Sequence, residues 1–132
     1  MKGAFMAVRR ALGNLGGDQL VKFEPGAVIA PGITSVAAFG HTPGHTLFRM
    51  DSEGQSFAYV ADITNVPSLF ARAPDWSVLF DMNPVMARMS RRRVFDMLVK
   101  DKMMAGGFHF PFPAFGTMEA SGNGYQFKPV AA

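Results

Sequence analysis

The sequence predicts an α/β fold of the α+β type, in which one mixed β-sheet is flanked by helices. The chain has 132 residues, 48% of them hydrophobic and 17% charged, a composition typical of one folded domain rather than of a disordered segment. Apolar residues recur at helical spacing within residues 3–15 and 84–100. The segments 33–39, 46–50 and 56–61 are instead short, apolar and bounded by turn residues, as β-strands are.

The first half of the chain divides into an N-terminal helix and the start of a sheet. Apolar residues at helical spacing stop at Gly16-Gly17, so residues 1–19 are assigned to an N-terminal helical segment and residues 20–132 to the main unit. The strand at residues 33–39 ends at Gly40, and a turn at residues 52–54 joins the next two strands.

The second half is expected to hold one long helix and further strands. Residues 65–80 carry two prolines and are predicted to be irregular, and Pro84 opens a helix that continues to about residue 100. Its arginines are expected on a solvated face. A strand is predicted to end at His109, and Gly122 begins a turn before a closing strand. The apolar stripe predicted for the helix consists of Val85, Met89, Val94, Met97 and Leu98.

Composition excludes several functional classes. The chain has no cysteine, which rules out disulfides, thiolate ligands and a cysteine nucleophile. No apolar run approaches the roughly 18 residues of a membrane span, and no secretory signal is recognised, so the expected location is the cytoplasm, with no membrane partner. The net charge of +3 arises mostly from the local run Arg91–Arg93, and no nucleic-acid partner is expected.

All three histidines and one aspartate form the candidate site. His41 and His45 flank the turn Thr42-Pro43-Gly44, Asp62 follows an apolar strand, and His109 precedes Pro111. From the residues alone, His45 is either a metal ligand or a loop histidine bonded to backbone, and Asp62 is either a cap or a ligand. His109 is either a core residue or a ligand, and His41 fits a supporting role. No serine lies in a Gly-x-Ser-x-Gly turn.

These motifs resemble the C-terminal half of the metallo-β-lactamase superfamily. The matching pieces are the segment from Gly40 to His45, the strand-terminal Asp62 in Tyr-Val-Ala-Asp, and His109 in Gly-Phe-His-Phe-Pro-Phe-Pro. Within the superfamily, the chain is most similar to the methyl parathion hydrolase-like branch, through Pro31-Gly-Ile, Phe80-Asp81 and the terminal Gly122-x-Gly-Tyr-x-Phe-x-Pro-Val.

The resemblance implies half of an αββα sandwich and a metal site. In the family, His45 would bind one divalent metal, usually zinc, Asp62 would bridge two metals and His109 would bind the second; no catalytic residue is identified beyond these ligands. His41, Phe110 and Phe112 would support the site or line its pocket. The family chemistry is hydrolysis of an ester, lactone or organophosphate by metal-bound hydroxide, which makes a small molecule the expected substrate.

One family feature is absent from the chain. With three histidines in all, the sequence has no His-x-His-x-Asp-His motif, so at most one zinc or other divalent metal is expected per chain, and the chain is interpreted as a truncated domain. The inner face of the sheet would then be uncovered, which predicts a homodimer or higher oligomer through that face. The alternative function is a catalytically silent remnant that oligomerises or binds metal.

Overall fold

The computed structural model describes residues 2–131, so the ends of the two assigned segments, Met1 and Ala132, lie outside it. The chain forms a seven-stranded sheet with strand order β1 to β7. Five pairs of neighbouring strands are antiparallel, and the pair β4–β5 is parallel. The predicted single mixed sheet with flanking helices is therefore confirmed. The strands are β1 Val28–Ala30, β2 Ile33–Ala37, β3 Thr46–Ser52, β4 Gln55–Tyr59, β5 Met104–Gly106, β6 Phe115–Ser121 and β7 Gly124–Pro129.

Within residues 2–131, three α-helices accompany the sheet. The helix α1 spans Lys2–Leu12, and a short 3-10 turn follows at Gly17–Gln19. The connection between β4 and β5 contains α2 (Pro67–Arg72) and α3 (Pro84–Lys100). The prediction that residues 65–80 are irregular was wrong for α2, because a six-residue helix is too short to show a helical period. None of the helices within residues 2–131 is long and apolar enough to span a membrane.

The helix α3 begins where the sequence predicts. Pro84 occupies the first turn, and the side chain of Asn83 accepts a hydrogen bond from Met86 N at 3.0 Å, which caps the helix. The predicted apolar stripe was only partly right. Val94 and Leu98 are buried in the core, whereas Val85 and Met89 are 59% and 68% exposed.

The hydrophobic core lies between α3 and one face of the sheet. Val94, Phe95 and Leu98 of α3 pack with alternate residues of the strands, such as Leu47 and Ala105. Alternation sends the intervening side chains to the opposite face of the sheet. We call this opposite surface the open face. Its side chains belong to residues that are cross-strand partners on neighbouring strands, with Gly106 as the partner of both Tyr59 and Phe115. The open face consists of Phe48, Met50, Phe57, Tyr59, Met104 and Phe115.

The open face is only partly covered by the described residues. Phe23 packs edge-on against Phe48 at 6.1 Å between ring centroids, but Met50 and Tyr59 are each 37% exposed. The helix α1 also leaves its apolar side chains uncovered, and Phe5, Met6 and Val8 are between 51% and 63% exposed. Apolar surface in contact with water thus remains on both the sheet and the N-terminal helix.

Candidate metal and ligand site

An open cleft of about 500 Å³ lies at the end of β4, at the margin of the open face. Its polar wall contains two of the histidines and one aspartate from the sequence motifs, and its apolar wall is aromatic. The lining residues are His41, Tyr59, Ala61, Asp62, Asn65, Phe80, Phe108 and His109.

His45 lies beneath this cleft and connects two backbone segments. Its Nδ1 donates to Ala38 O at 2.8 Å, and its Nε2 accepts from Asp62 N–H at 3.0 Å. The residue is 7% exposed, and burial lowers the pKa of His45 because the charged imidazolium is poorly solvated there. A neutral imidazole with Nδ1 anchored on a carbonyl is the form in which histidine binds metals.

Asp62 and His109 meet at the surface of the cleft. Asp62 follows β4 after Ala61, whose φ of 46° turns the chain sharply, and His109 lies three residues beyond the end of β5. His109 Nε2 is 3.1 Å from Asp62 Oδ1, with side-chain exposures of 36% and 39%. The predicted strand ending at His109 was wrong in its bounds, because β5 ends at Gly106 and the histidine lies in a turn.

The loop that contains His41 is fixed against the start of α3. Gly40 has a φ of 130°, and a Cβ atom there would lie 2.1 Å from Ala87 N, so only glycine fits this approach. His41 O accepts from Met82 N at 3.2 Å, and Gly40 O accepts from Asn83 N at 2.9 Å. These contacts place the His41 ring in the cleft wall.

A buried polar chain extends inward from His41. Its Nδ1 is 3.0 Å from Asp81 Oδ1, and Asp81 Oδ2 accepts from Val78 N at 3.2 Å and is 3.9 Å from Arg91 Nη2. The side chains of Asp81 and Arg91 are each 2% exposed. The carboxylate is thus surrounded by donors and positive charge, which compensates for its removal from water.

Arg91 fastens the segment between α2 and α3. Its guanidinium donates to the carbonyls of Ile63 and Pro74, each at 2.8 Å, and to that of Trp76, and it lies 4.6 Å from the centroid of the Phe70 ring. Burial lowers the pKa of Arg91. The expectation that the arginines of α3 share a solvated face was wrong for this residue.

A divalent metal is implied by the resemblance, and the donor chemistry supports it only in part. An imidazole and a carboxylate side by side suit zinc, and His109 with Asp62 provides this pair. The third proposed ligand, His45, has its Nε2 engaged by a backbone N–H. Among residues 2–131, no group of three His, Asp or Glu side chains is arranged to hold a metal ion.

The aromatic residues differ from the sequence expectation. Phe110 lies in the core, 7% exposed, with its ring 4.9 Å from that of Phe127, and Phe112 is 88% exposed and does not line the cleft. Phe108 and Phe80 contribute to the cleft instead. Asn65 also lines the cleft and was not predicted, although it lies three residues beyond Asp62 and so near the same strand end.

Comparisons with known proteins identify the fold. The structure matches AidC, a dizinc quorum-quenching lactonase, with a TM-score of 0.87 and 24% identity; the match covers 98% of this chain and 43% of AidC. It matches the hydrolase AbOPH of the β-lactamase superfamily with a TM-score of 0.81 and 23% identity, over 96% of this chain and 42% of that protein.

A third match is a probable metal-dependent hydrolase from Staphylococcus aureus, with a TM-score of 0.66 and 20% identity over 87% of this chain and 42% of that protein. No family profile and no curated protein sequence matches the chain. The chain therefore spans less than half the length of the solved structures it resembles, and its fold corresponds to part of theirs.

Proposed function

We propose that this chain, whose fold is that of one half of a metallo-β-lactamase superfamily hydrolase, provides one wall of a metal-dependent hydrolase cleft. The observation that carries this proposal is the meeting of Asp62 and His109, 3.1 Å apart, on the surface of an open cleft. A carboxylate and an imidazole in such contact, exposed to incoming ligands, form part of a site for zinc or another divalent metal.

His45 is the third proposed ligand. Its Nδ1 is anchored on Ala38 O, the arrangement that orients metal-binding histidines. Coordination through Nε2 requires the hydrogen bond from Asp62 N–H to be given up, so metal binding would be accompanied by a shift of the Asp62 peptide. The remaining ligands would come from protein outside residues 2–131 or from water, with at most one metal per chain.

The cleft is suited to a small ligand with an apolar part. Tyr59, Phe80 and Phe108 provide aromatic walls, while Asn65 and His41 add polar groups, a combination typical of small-molecule sites. When bound, a divalent metal supplies Lewis-acid polarisation of a carbonyl or phosphoryl oxygen. Hydrolysis of an ester, a lactone or an organophosphate is the reaction class that these features support, and AidC, which shares the fold, is a lactonase.

Zinc binding tests the proposal directly. Calorimetric titration of the metal-free chain should show at most one zinc ion per chain. Replacement of one ligand by Asp62→Asn or His109→Gln should weaken the affinity at least ten-fold, whereas Asp75→Asn, at an exposed carboxylate paired with Arg92, should leave it unchanged. Zinc affinity that is the same in all four proteins would refute the assignment of these ligands.

Catalysis requires a separate measurement. The zinc-loaded chain should hydrolyse a generic aryl ester above background, and both Asp62→Asn and His45→Ala should abolish that activity. Zinc binding without turnover would instead support the alternative of a metal-binding module.

The second candidate function is self-association. The open face and the apolar side of α1 are both uncovered, and the last turn of α1 carries Arg9 and Arg10 with no acidic residue in the helix. Glu53, which is exposed, lines a shallow groove together with Met50, Phe57 and Met104 of the open face. Charge and polarity thus match when α1 of one copy lies on the open face of a second copy.

Light scattering at micromolar concentration tests this interface. The chain should be at least dimeric, and the double substitution of Phe5→Ser and Val8→Ser should shift it towards monomer. The matched control, Val85→Ser with Met89→Ser, changes equally exposed apolar residues on α3 and should leave the mass unchanged. A monomeric wild-type chain would contradict this interface.

A further inference from the structure

The two ring nitrogens of His41 have different surroundings. Nδ1 lies 3.0 Å from Asp81 Oδ1, below the surface of the cleft wall. Nε2 forms no hydrogen bond with residues 2–131. The His41 side chain is 17% exposed and lines the cleft, so Nε2 is the ring nitrogen available to a bound ligand.

The surroundings of Asp81 determine the polarity of this hydrogen bond. Asp81 Oδ2 already accepts from Val78 N–H and is close to the guanidinium of Arg91. A carboxylate surrounded by donors acts as an acceptor, so Nδ1 of His41 must carry the proton that it shares with Oδ1. A neutral His41 ring then has its lone pair on Nε2, which is the ring nitrogen available on the cleft side.

The His41 ring is held in this orientation from several sides. Phe80 contacts it edge-on at 6.1 Å between centroids, and His45 does so at 5.7 Å. The titratable and charged groups nearest to His41 in this packing are Asp81, Arg91, His45 and Asp62. A ring fixed by a buried carboxylate and two aromatic neighbours presents its acceptor without reorganisation.

We propose that His41 Nε2 is the hydrogen-bond acceptor of the cleft and makes it selective for ligands that carry an N–H or O–H donor. This inference rests on the proposed function, because it concerns a ligand in the same cleft. The aromatic walls bind apolar groups without directional preference. An acceptor left unpaired by the ligand loses its bond to water, which disfavours ligands that lack a donor.

A matched pair of ligands tests the selectivity. The probes are N-benzylhexanamide, whose only hydrogen-bond donor is its amide N–H, and the matched ketone in which a CH2 group replaces that N–H. In titrations of the full zinc-loaded chain followed by NMR, the amide should bind roughly 3- to 10-fold more tightly, the equivalent of one neutral hydrogen bond. His41→Phe should remove this preference while the ketone probe still binds.

A second measurement determines directly which nitrogen of the His41 ring carries the proton. Long-range ¹H–¹⁵N NMR at pH 8 should show His41 protonated at Nδ1, and its Nε2 signal should shift when the amide probe is added. Asp81→Asn should weaken the preference for the Nδ1–H form, while Asp75→Asn, on the exposed part of the same loop, should not alter it. If Asp81→Asn does not fold, the protonation site measured in the wild-type chain still tests whether Nε2 is the acceptor.

The outcomes separate this inference from the proposed function. A His41 protonated at Nε2, or equal affinities for the two probes in a chain that binds zinc through Asp62 and His109, overturns the inference alone. A chain that binds neither zinc nor either probe overturns the proposed function, and the inference fails with it. Preference for the amide that disappears in His41→Phe supports both.

Discussion

Replacement of Arg91 by methionine should be among the most destabilising single changes on α3. Methionine has a similar length but no donor, so the carbonyls of Ile63, Pro74 and Trp76 would each lose their hydrogen bond. Asp81, which is also buried, would lose the nearest positive charge.

The expected magnitude follows from these contacts. Removal of one partner from a buried ion pair costs about 3–5 kcal/mol, because the remaining groups stay buried without partners. Since the whole free energy of unfolding of a domain is about 5–15 kcal/mol, Arg91→Met should lower it by about a fifth or more. Arg91→Lys retains the charge but loses the planar array of donors, and its effect should be intermediate.

The neighbouring arginine provides the control. Arg92 has the same chemistry, but its side chain is 39% exposed and its partner Asp75 is 63% exposed, so Arg92→Met should destabilise the chain far less than Arg91→Met. Urea unfolding followed by circular dichroism at 222 nm measures both variants. Equal losses for Arg91→Met and Arg92→Met would refute the argument that burial, rather than charge, determines the contribution.

Two further predictions concern glycine fit and tyrosine ionisation. Gly40→Ala should destabilise the chain by more than about 2 kcal/mol, because its Cβ would clash with Ala87 N. Gly44→Ala in the same turn, where a Cβ meets nothing within 4 Å, should be neutral or stabilise by up to about 1 kcal/mol in thermal unfolding; equal effects of the two changes would contradict this reading. Burial, together with a hydrogen bond to Asp96, raises the pKa of Tyr125 to about 12. Tyr125 stays protonated in the folded chain above the pH at which it ionises in the unfolded one, so its contribution to stability is lost as pH rises from about 10 to about 12. Absorbance at 295 nm should therefore show a late ionisation that is missing in Tyr125→Phe; a curve that is unchanged by this substitution would count against it.

Five of the seven strands could be predicted from the sequence because they are short segments next to turns, whereas β6 and the three-residue β1 were not assigned. The long helix was predicted for a similar reason, since Asn83 and Pro84 are strong signals of a helix start. The connection that contains α2 could not be assigned, because six residues do not display a period. The fold itself followed from motif resemblance and not from periodicity, and the solved structures confirm it.

The buried face of α3 was only partly predicted, although the spacing of its residues indicates it. Ala87, Arg91, Val94, Phe95 and Leu98 lie at helical spacing and are all buried. The charged residue in that stripe, Arg91, was assigned to the solvated side because the next two residues are also arginines. Three consecutive residues on a helix point in directions about 100° apart, so they cannot all share one face.

For the candidate site, the sequence indicated the residues but not their contacts. His41, Asp62 and His109 do line one cleft, while His45 lies just beneath it. The partnership of His41 with Asp81, 40 positions along the chain, depends on how α3 packs against the sheet, and no local pattern encodes that distance. Metal binding by His45, Asp62 and His109 stays a prediction.

The single parallel pair of strands has a consequence for the order of assembly. β1–β4 and β5–β7 are each built from antiparallel neighbours close in sequence, but β4 and β5 join only through three residue pairs, from Phe57–Met104 to Tyr59–Gly106. That junction closes a long loop and should form late in folding. Asp62 lies on one side of it and His109 on the other. The cleft is therefore expected to be completed in the last step of folding and to open first when the two blocks of the sheet separate.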